Sequence, residues 1–160
     1  MENSNNLVSV AIPTFNSSLY LKDCLKSLLD VQIIDEIIIS DDCSNDLEFE
    51  KINNIVNNLK TTKEIKIYRN EQNLGAFINK YENIKKCKNK IVYQIDSDNI
   101  ASNNLSLVLN LIFIENNENY LYLPSKIYQF RKYPNFAKLL SIVNSKYQVT
   151  FTNNDFVFSK

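Results

Sequence analysis

The sequence predicts an α/β fold with a mainly parallel sheet flanked by helices on both faces. Two observations carry the prediction. Short runs rich in Ile and Val alternate with segments whose apolar residues recur at helical spacing, the pattern of strand–helix–strand units with right-handed crossovers. Two of those runs also end in acid, Ile37-Ile38-Ile39-Ser40-Asp41-Asp42 and Ile91-Val92-Tyr93-Gln94-Ile95-Asp96-Ser97-Asp98. Carboxylates at the carboxyl ends of neighbouring parallel strands face the crevice where open α/β sheets bind ligands.

Taken in order, Leu7 to Ile12 reads as a buried strand stopped by Pro13. Ser17 and Ser18 are able to cap the next segment, where Leu21, Cys24, Leu25, Leu28 and Leu29 form one helical stripe. Ile37 to Ser40 is the second strand, and Phe49, Ile52, Val56 and Leu59 mark a helix beginning near Asn45-Asp46. Glu64 to Arg69 alternates as a strand, Phe77, Tyr81 and Ile84 give a helix face after Gly75, and Ile91 to Ile95 leads into Asp96. Beyond Asp98 the expectations are a helix through Leu105, Val108, Leu109 and Ile112, strands at Tyr120–Leu123 and Ile127–Phe130, a helix over Phe136–Val143, and extended chain at Tyr147–Thr152 and Phe156–Phe158. A length of 160 residues, 44% of them hydrophobic, suits a single domain spanning 1–160 with a substantial core.

Composition narrows the chemistry. A formal net charge of zero offers no basic surface for nucleic acid. The longest apolar stretch, Leu105 to Ile114, is too short to span a bilayer, and residues 1–6 lack the features of a secretory signal. A cytoplasmic location, the inner face of the membrane included, is expected. Cys24, Cys43 and Cys87 lack metal-site spacing, and the absence of histidine removes Ser-His and Cys-His nucleophiles. A general base must therefore be a carboxylate, a lysine or a tyrosine.

Each acidic cluster has two readings. Asp and Asn after a strand make turns or cap helices, whereas Asp96-Ser97-Asp98 also has the composition of a Mg²⁺ or Mn²⁺ site whose coordination a substrate diphosphate completes. The pair of clusters favours a ligand site.

Four motifs in order resemble the amino-terminal half of family 2 glycosyltransferases: Val8-Ser9-Val10-Ala11-Ile12-Pro13-Thr14-Phe15-Asn16, Glu36 through Asp46, Asn73-Leu74-Gly75-Ala76, and Asp96-Ser97-Asp98. The resemblance implies a GT-A, Rossmann-like fold that binds a nucleotide diphosphate sugar. By the same resemblance, Pro13, Thr14 and Phe15 cradle the base, although Pro13 would equally end a strand. Asp42 accepts a hydrogen bond from the base, since an ionised carboxylate only accepts and a uracil imide N–H donates. Asp41 orients local backbone, and Ser44 and Asp46 cap the next helix. Asn73 and Gly75 lie near the nucleotide, Gly75 for close backbone approach or for a turn. Asp98 contacts a divalent metal, Mn²⁺ or Mg²⁺, and Asp96 reaches it through water or touches the ribose. Arg69 has both a phosphate reading and a surface reading. Cys43 stands where the family has Gly.

The implied reaction is metal-dependent, inverting transfer from a nucleotide diphosphate sugar, a UDP-sugar, to a glycan or lipid-linked hydroxyl, with a carboxylate taking the acceptor proton. Residues 148–158 resemble the strand region before the family's base motif, so the acceptor part of the domain is expected to be incomplete. Asp155, Glu115 and Glu118 are the remaining candidate bases. A non-catalytic nucleotide- or glycan-binding module is the alternative, and a nucleotidyltransferase is disfavoured by the lack of a Gly-rich phosphate loop near the first strand.

Overall fold

The computed structural model describes residues 7–115, 121–124, 149–152 and 157–159. Strands β1 (Val8–Thr14), β2 (Ile34–Asp41), β3 (Glu64–Arg69) and β4 (Ile91–Gln94) alternate with helices α1 (Ser18–Leu29), α2 (Asp46–Asn57) and α3 (Ala76–Lys86). Helix α4 (Leu105–Glu115) and strands β5 (Leu121–Pro124), β6 (Val149–Thr152) and β7 (Val157–Ser159) follow. The strand order is β3-β2-β1-β4-β7-β5-β6. Pairings β1–β2, β1–β4, β2–β3 and β5–β6 are parallel, while β7 is antiparallel to both β4 and β5. The sheet is thus mainly parallel, as the alternation of elements requires. The expected segments at Ile127–Phe130 and Phe136–Val143 lie outside the described residues.

Period-2 alternation distributes the strands between two faces. Val8, Val10, Ile12, Ile37, Ile39 and Tyr93 meet Leu21, Cys24, Leu25 and Leu28 of α1, Ile52 of α2 and Leu105, Val108, Leu109 and Ile112 of α4 in the main core. Each fully buried Leu or Ile there contributes about 1.5–3 kcal/mol. The opposite face carries a smaller cluster, Ala11, Ile38, Val92 and Cys87, with Ile84 of α3 against it.

Helix α3 departs from its expected orientation. Phe77 and Tyr81 are exposed, and of the anticipated stripe only Ile84 packs on the sheet. Buried Asn79 and Asn83 take the inner face instead, their Nδ2 atoms donating to Ser40 O at 3.0 Å and Ile38 O at 3.3 Å. Backbone carbonyls of β2 are within reach on that face, so each amide nitrogen is paired on burial, a bond that a phenyl ring at the same place could not make.

Pro13 does not end β1, which runs to Thr14 with Pro13 opposite Ser40. Ala11 O accepts from Ile95 N on the β4 side, and Thr14 O accepts from Asp42 N on the β2 side. Alternation therefore aims the position of Pro13's missing N–H toward β4, whose pairing with β1 stops at Ala11. No ladder bond is lost.

Candidate functional site

The carboxyl ends of β1, β2 and β4 and the start of α3 enclose a cleft of about 410 Å³. Pro13, Thr14, Phe15, Asp42, Asn73, Gly75, Asp96 and Asp98 all line it, together with Ser17, Ala76, Asn79, Lys80 and Ser97. Asp42 and Asp98, 56 positions apart in the chain, therefore share one cavity. The parallel order β2-β1-β4 makes this possible by bringing three strand ends to one edge.

Phe15 is half exposed over the cleft while Pro13 and Thr14 are buried beneath it. Asp42 is only 2% exposed, and its carboxylate is already engaged by the neighbouring loop. Oδ1 accepts from Leu74 N at 2.8 Å and Asn70 Nδ2 at 2.9 Å, and Oδ2 accepts from Gly75 N at 2.9 Å. A carboxylate has about four acceptor positions, and three of those of Asp42 are taken by this loop. Asn73 closes the same loop, donating from Nδ2 to Asp42 O and accepting from Gly75 N on Oδ1.

Gly75 is held at φ +82°, ψ 155°, and a Cβ built there meets no heavy atom within 4 Å. Backbone conformation, rather than close approach, is what demands glycine, because this region is essentially closed to residues with a side chain. Cys43 adopts the left-handed backbone itself, at φ +62°, so neither Asp41 nor Asp42 absorbs the turn. Asp41 is buried, with its carboxylate accepting from Ser44 N and Ser44 Oγ. Asn45, not Ser44 or Asp46, caps α2, its Oδ1 accepting from Glu48 N at 3.0 Å.

Arg69 is turned away from the cleft. Its guanidinium pairs with Asp46 at 2.8 Å and Asp41 at 3.6 Å, and lies 4.6 Å from the centre of the Phe49 ring. The surface reading holds for it.

Lysine 80 is the cation that the sequence reading missed. Its ammonium sits astride the Asp96 carboxylate, 2.7 Å from Oδ1 and 2.9 Å from Oδ2, and Gln94 Nε2 donates to the same group. The available signal was its place one helical turn beyond Ala76, on the face that opens into the cleft. Asp96, Ser97 and Asp98 also form a turn, with Asn99 N donating to Asp96 O, and the residues of that turn line the cleft. Exposed Asp98 takes no hydrogen bond or ion pair from a described residue.

Beneath this turn, burial pushes the Cys24 thiol up to about 12, and the charges of Asp98 and Asp96 reinforce the shift. The thiol stays protonated and is no nucleophile.

The donor set suits a hard cation in a limited way. Among the described residues no group of three His, Cys, Asp or Glu could hold a metal by itself. Asp96 and Asp98 provide two carboxylates, the number that Mg²⁺ or Mn²⁺ uses when waters and a diphosphate supply the rest. Against Lys80 alone, Asp42, Asp96 and Asp98 leave the cleft negative overall, which favours a cation. Asp155 and Glu118 lie outside the described residues, as does the side chain of Glu115.

The model of the family described as "Glycosyl transferase family 2" matches residues 9–158. An "Uncharacterized glycosyltransferase" of Haemophilus influenzae is 30% identical over 108 residues, covering 66% of this chain and 42% of the relative. Among solved structures, S. aureus TarS 1–349, also crystallised with UDP and with UDP-GlcNAc, superposes with a TM-score of 0.62 at 23% identity over 80% of this chain and 37–38% of TarS 1–349. The mannosyltransferase PcManGT from Pyrobaculum calidifontis, in complex with GDP-Man and Mn²⁺, gives 0.66 at 14% identity over 95% of this chain and 44% of its own. The chain thus spans less than half the length of each. Both solved structures share its GT-A fold.

Proposed function

This chain belongs to glycosyl transferase family 2, and we propose that it binds a nucleotide diphosphate sugar, a UDP-sugar, for transfer to the hydroxyl of a glycan or lipid-linked acceptor with inversion at the anomeric carbon. The observation that carries the reading is the convergence of all the expected donor-site residues on one cleft at the strand ends. Complexes of the similar TarS with UDP and of PcManGT with GDP-Man and Mn²⁺ support the ligand class.

In this reading the exposed face of Phe15 and the turn at Pro13-Thr14 receive the base. The carboxylate of Asp42 would take the base N–H. Asp96 and Asp98 would hold Mn²⁺ or Mg²⁺, which would supply positive charge to offset that on the departing diphosphate. Lys80, which lines the same cleft with its ammonium on Asp96, would add positive charge beside the same phosphates. That interaction accelerates transfer only insofar as it strengthens as the leaving charge develops.

Calorimetry with UDP and Mn²⁺ tests the site. Asp98→Ala should weaken metal-dependent UDP binding about 10- to 100-fold, the scale of one charged ligand. Binding that ignores Mn²⁺, or an unchanged Asp98→Ala titration, would overturn the proposal.

A binding module without transfer is the second reading, favoured by one observation. The cleft's three carboxylates among the described residues all have assignments already, and none is left as base. Asp155 is then the base to test. UDP binding without donor hydrolysis or transfer to any of a broad acceptor panel would select the binding module.

A further inference from the structure

Ser17 occupies the N-cap position of α1 but makes no capping bond with its side chain. Capping there normally uses a Ser hydroxyl to accept from the first-turn N–H groups. Here Glu48 reaches across from α2, its Oε2 accepting from Ser18 N at 3.2 Å. The freed Ser17 hydroxyl points instead into the cleft, 2.8 Å from Thr14 Oγ1 and 2.7 Å from Ser97 Oγ.

Three hydroxyls thus form a chain between two parts of the candidate site. Thr14 and Ser97 are almost fully buried, at 3% and 5% exposure, so a hydrogen bond lost there is poorly replaced by water. The two end residues of the chain are tied to the carboxylate-bearing segments through the backbone. Thr14 O accepts from Asp42 N at 2.9 Å, while Ser97 lies between Asp96 and Asp98. Asn16 N donates to Ser44 Oγ at 2.8 Å, anchoring the Thr14–Ser17 turn to the β2 end as well.

We propose that Ser17 is a positioning residue: through Thr14 and Ser97 its hydroxyl locks the metal-carboxylate turn to the base-binding turn, so that metal and nucleotide bind as one unit. The inference rests on the donor-site reading above. It assigns Ser17 an effect on the coupling between two ligands rather than on either ligand alone, since its hydroxyl bonds run to the turns and not to the ligands. A hydroxyl both donates and accepts, which lets a single side chain serve two neighbours.

The test is the factor by which Mn²⁺ tightens UDP binding to the 160-residue chain, measured by calorimetry for the wild type, Ser17→Ala, Ser17→Thr and Ser97→Ala. Ser17→Ala should lower that factor about three- to tenfold, the scale of one net hydrogen bond, with UDP binding in the absence of metal unchanged. Ser97→Ala should lower the factor by a similar amount, the double variant should add little, and Ser17→Thr should restore the factor by returning the hydroxyl. Should Ser17→Ala fail to fold, Ser97→Ala carries the test. An unchanged factor, or equal weakening with and without Mn²⁺, refutes the lock while leaving the donor site standing. A wild type with no Mn²⁺ enhancement refutes the donor-site reading, and the lock with it.

Discussion

Replacing Asp42 by Asn separates a ligand contact from a structural clamp. The Asp42 carboxylate accepts three hydrogen bonds from residues 70–75 while only 2% exposed. An Asn keeps one acceptor oxygen. If that oxygen takes the place of Oδ1, the bonds from Leu74 N and Asn70 survive as neutral ones, and the new NH₂ confronts Gly75 N–H, donor against donor. Losing one charge-assisted bond costs about 1.5–3 kcal/mol, and weakening the other two raises the sum to about 2–4 kcal/mol. With a urea m-value of about 1–3 kcal/mol/M, the midpoint should fall by about 1–2 M in the absence of any nucleotide. Urea denaturation followed by circular dichroism measures it. A midpoint unchanged within about 0.2 M, together with weakened UDP binding, would mean that Asp42 serves the ligand alone and that the clamp is wrong.

Other residues make separate claims. Gly75→Ala should destabilise the chain by about 1–3 kcal/mol through backbone strain alone, because the space around the new Cβ is empty; a denaturation midpoint equal to wild type would contradict this. Cys43→Gly should stabilise by about 0.5–1 kcal/mol by relieving a left-handed side-chain residue, and a lower melting temperature would count against it. Glu48, held at about 2 against an ordinary 4.5 chiefly by its hydrogen bond from Lys51 and then by Ser18, is depressed in the folded state. Its contribution to stability should therefore be complete above about pH 4.5 and be lost as pH falls toward 2. Comparing Glu48→Gln with wild type across that window checks it: the stability gap should narrow on acidification, and a gap independent of pH would refute the assignment.

Much of the candidate site was legible because its residues are punctuated by local pattern. Asp42 and Asp98 follow apolar runs, and a lone glycine before a helical segment marks a special backbone position. Lys80 and Ser17 were not legible as site residues. A lysine inside a helix ordinarily reads as solvated, and a serine before a helix ordinarily reads as a cap. Their roles appear only when Asp96 and Ser97 arrive from β4, 16 and 80 residues away.

By itself the sequence determined the alternation of strands and helices, the mainly parallel sheet, and the acids at the strand ends, because hydrophobic period and turn chemistry are properties of a few consecutive residues. Tertiary structure alone decided that Asn79 and Asn83 face inward while Phe77 and Tyr81 face out, that Pro13 loses no ladder bond, and that Glu48 caps a helix other than its own. Each of those outcomes is a competition for hydrogen-bond partners between segments distant in the chain, and only packing brings the competitors together.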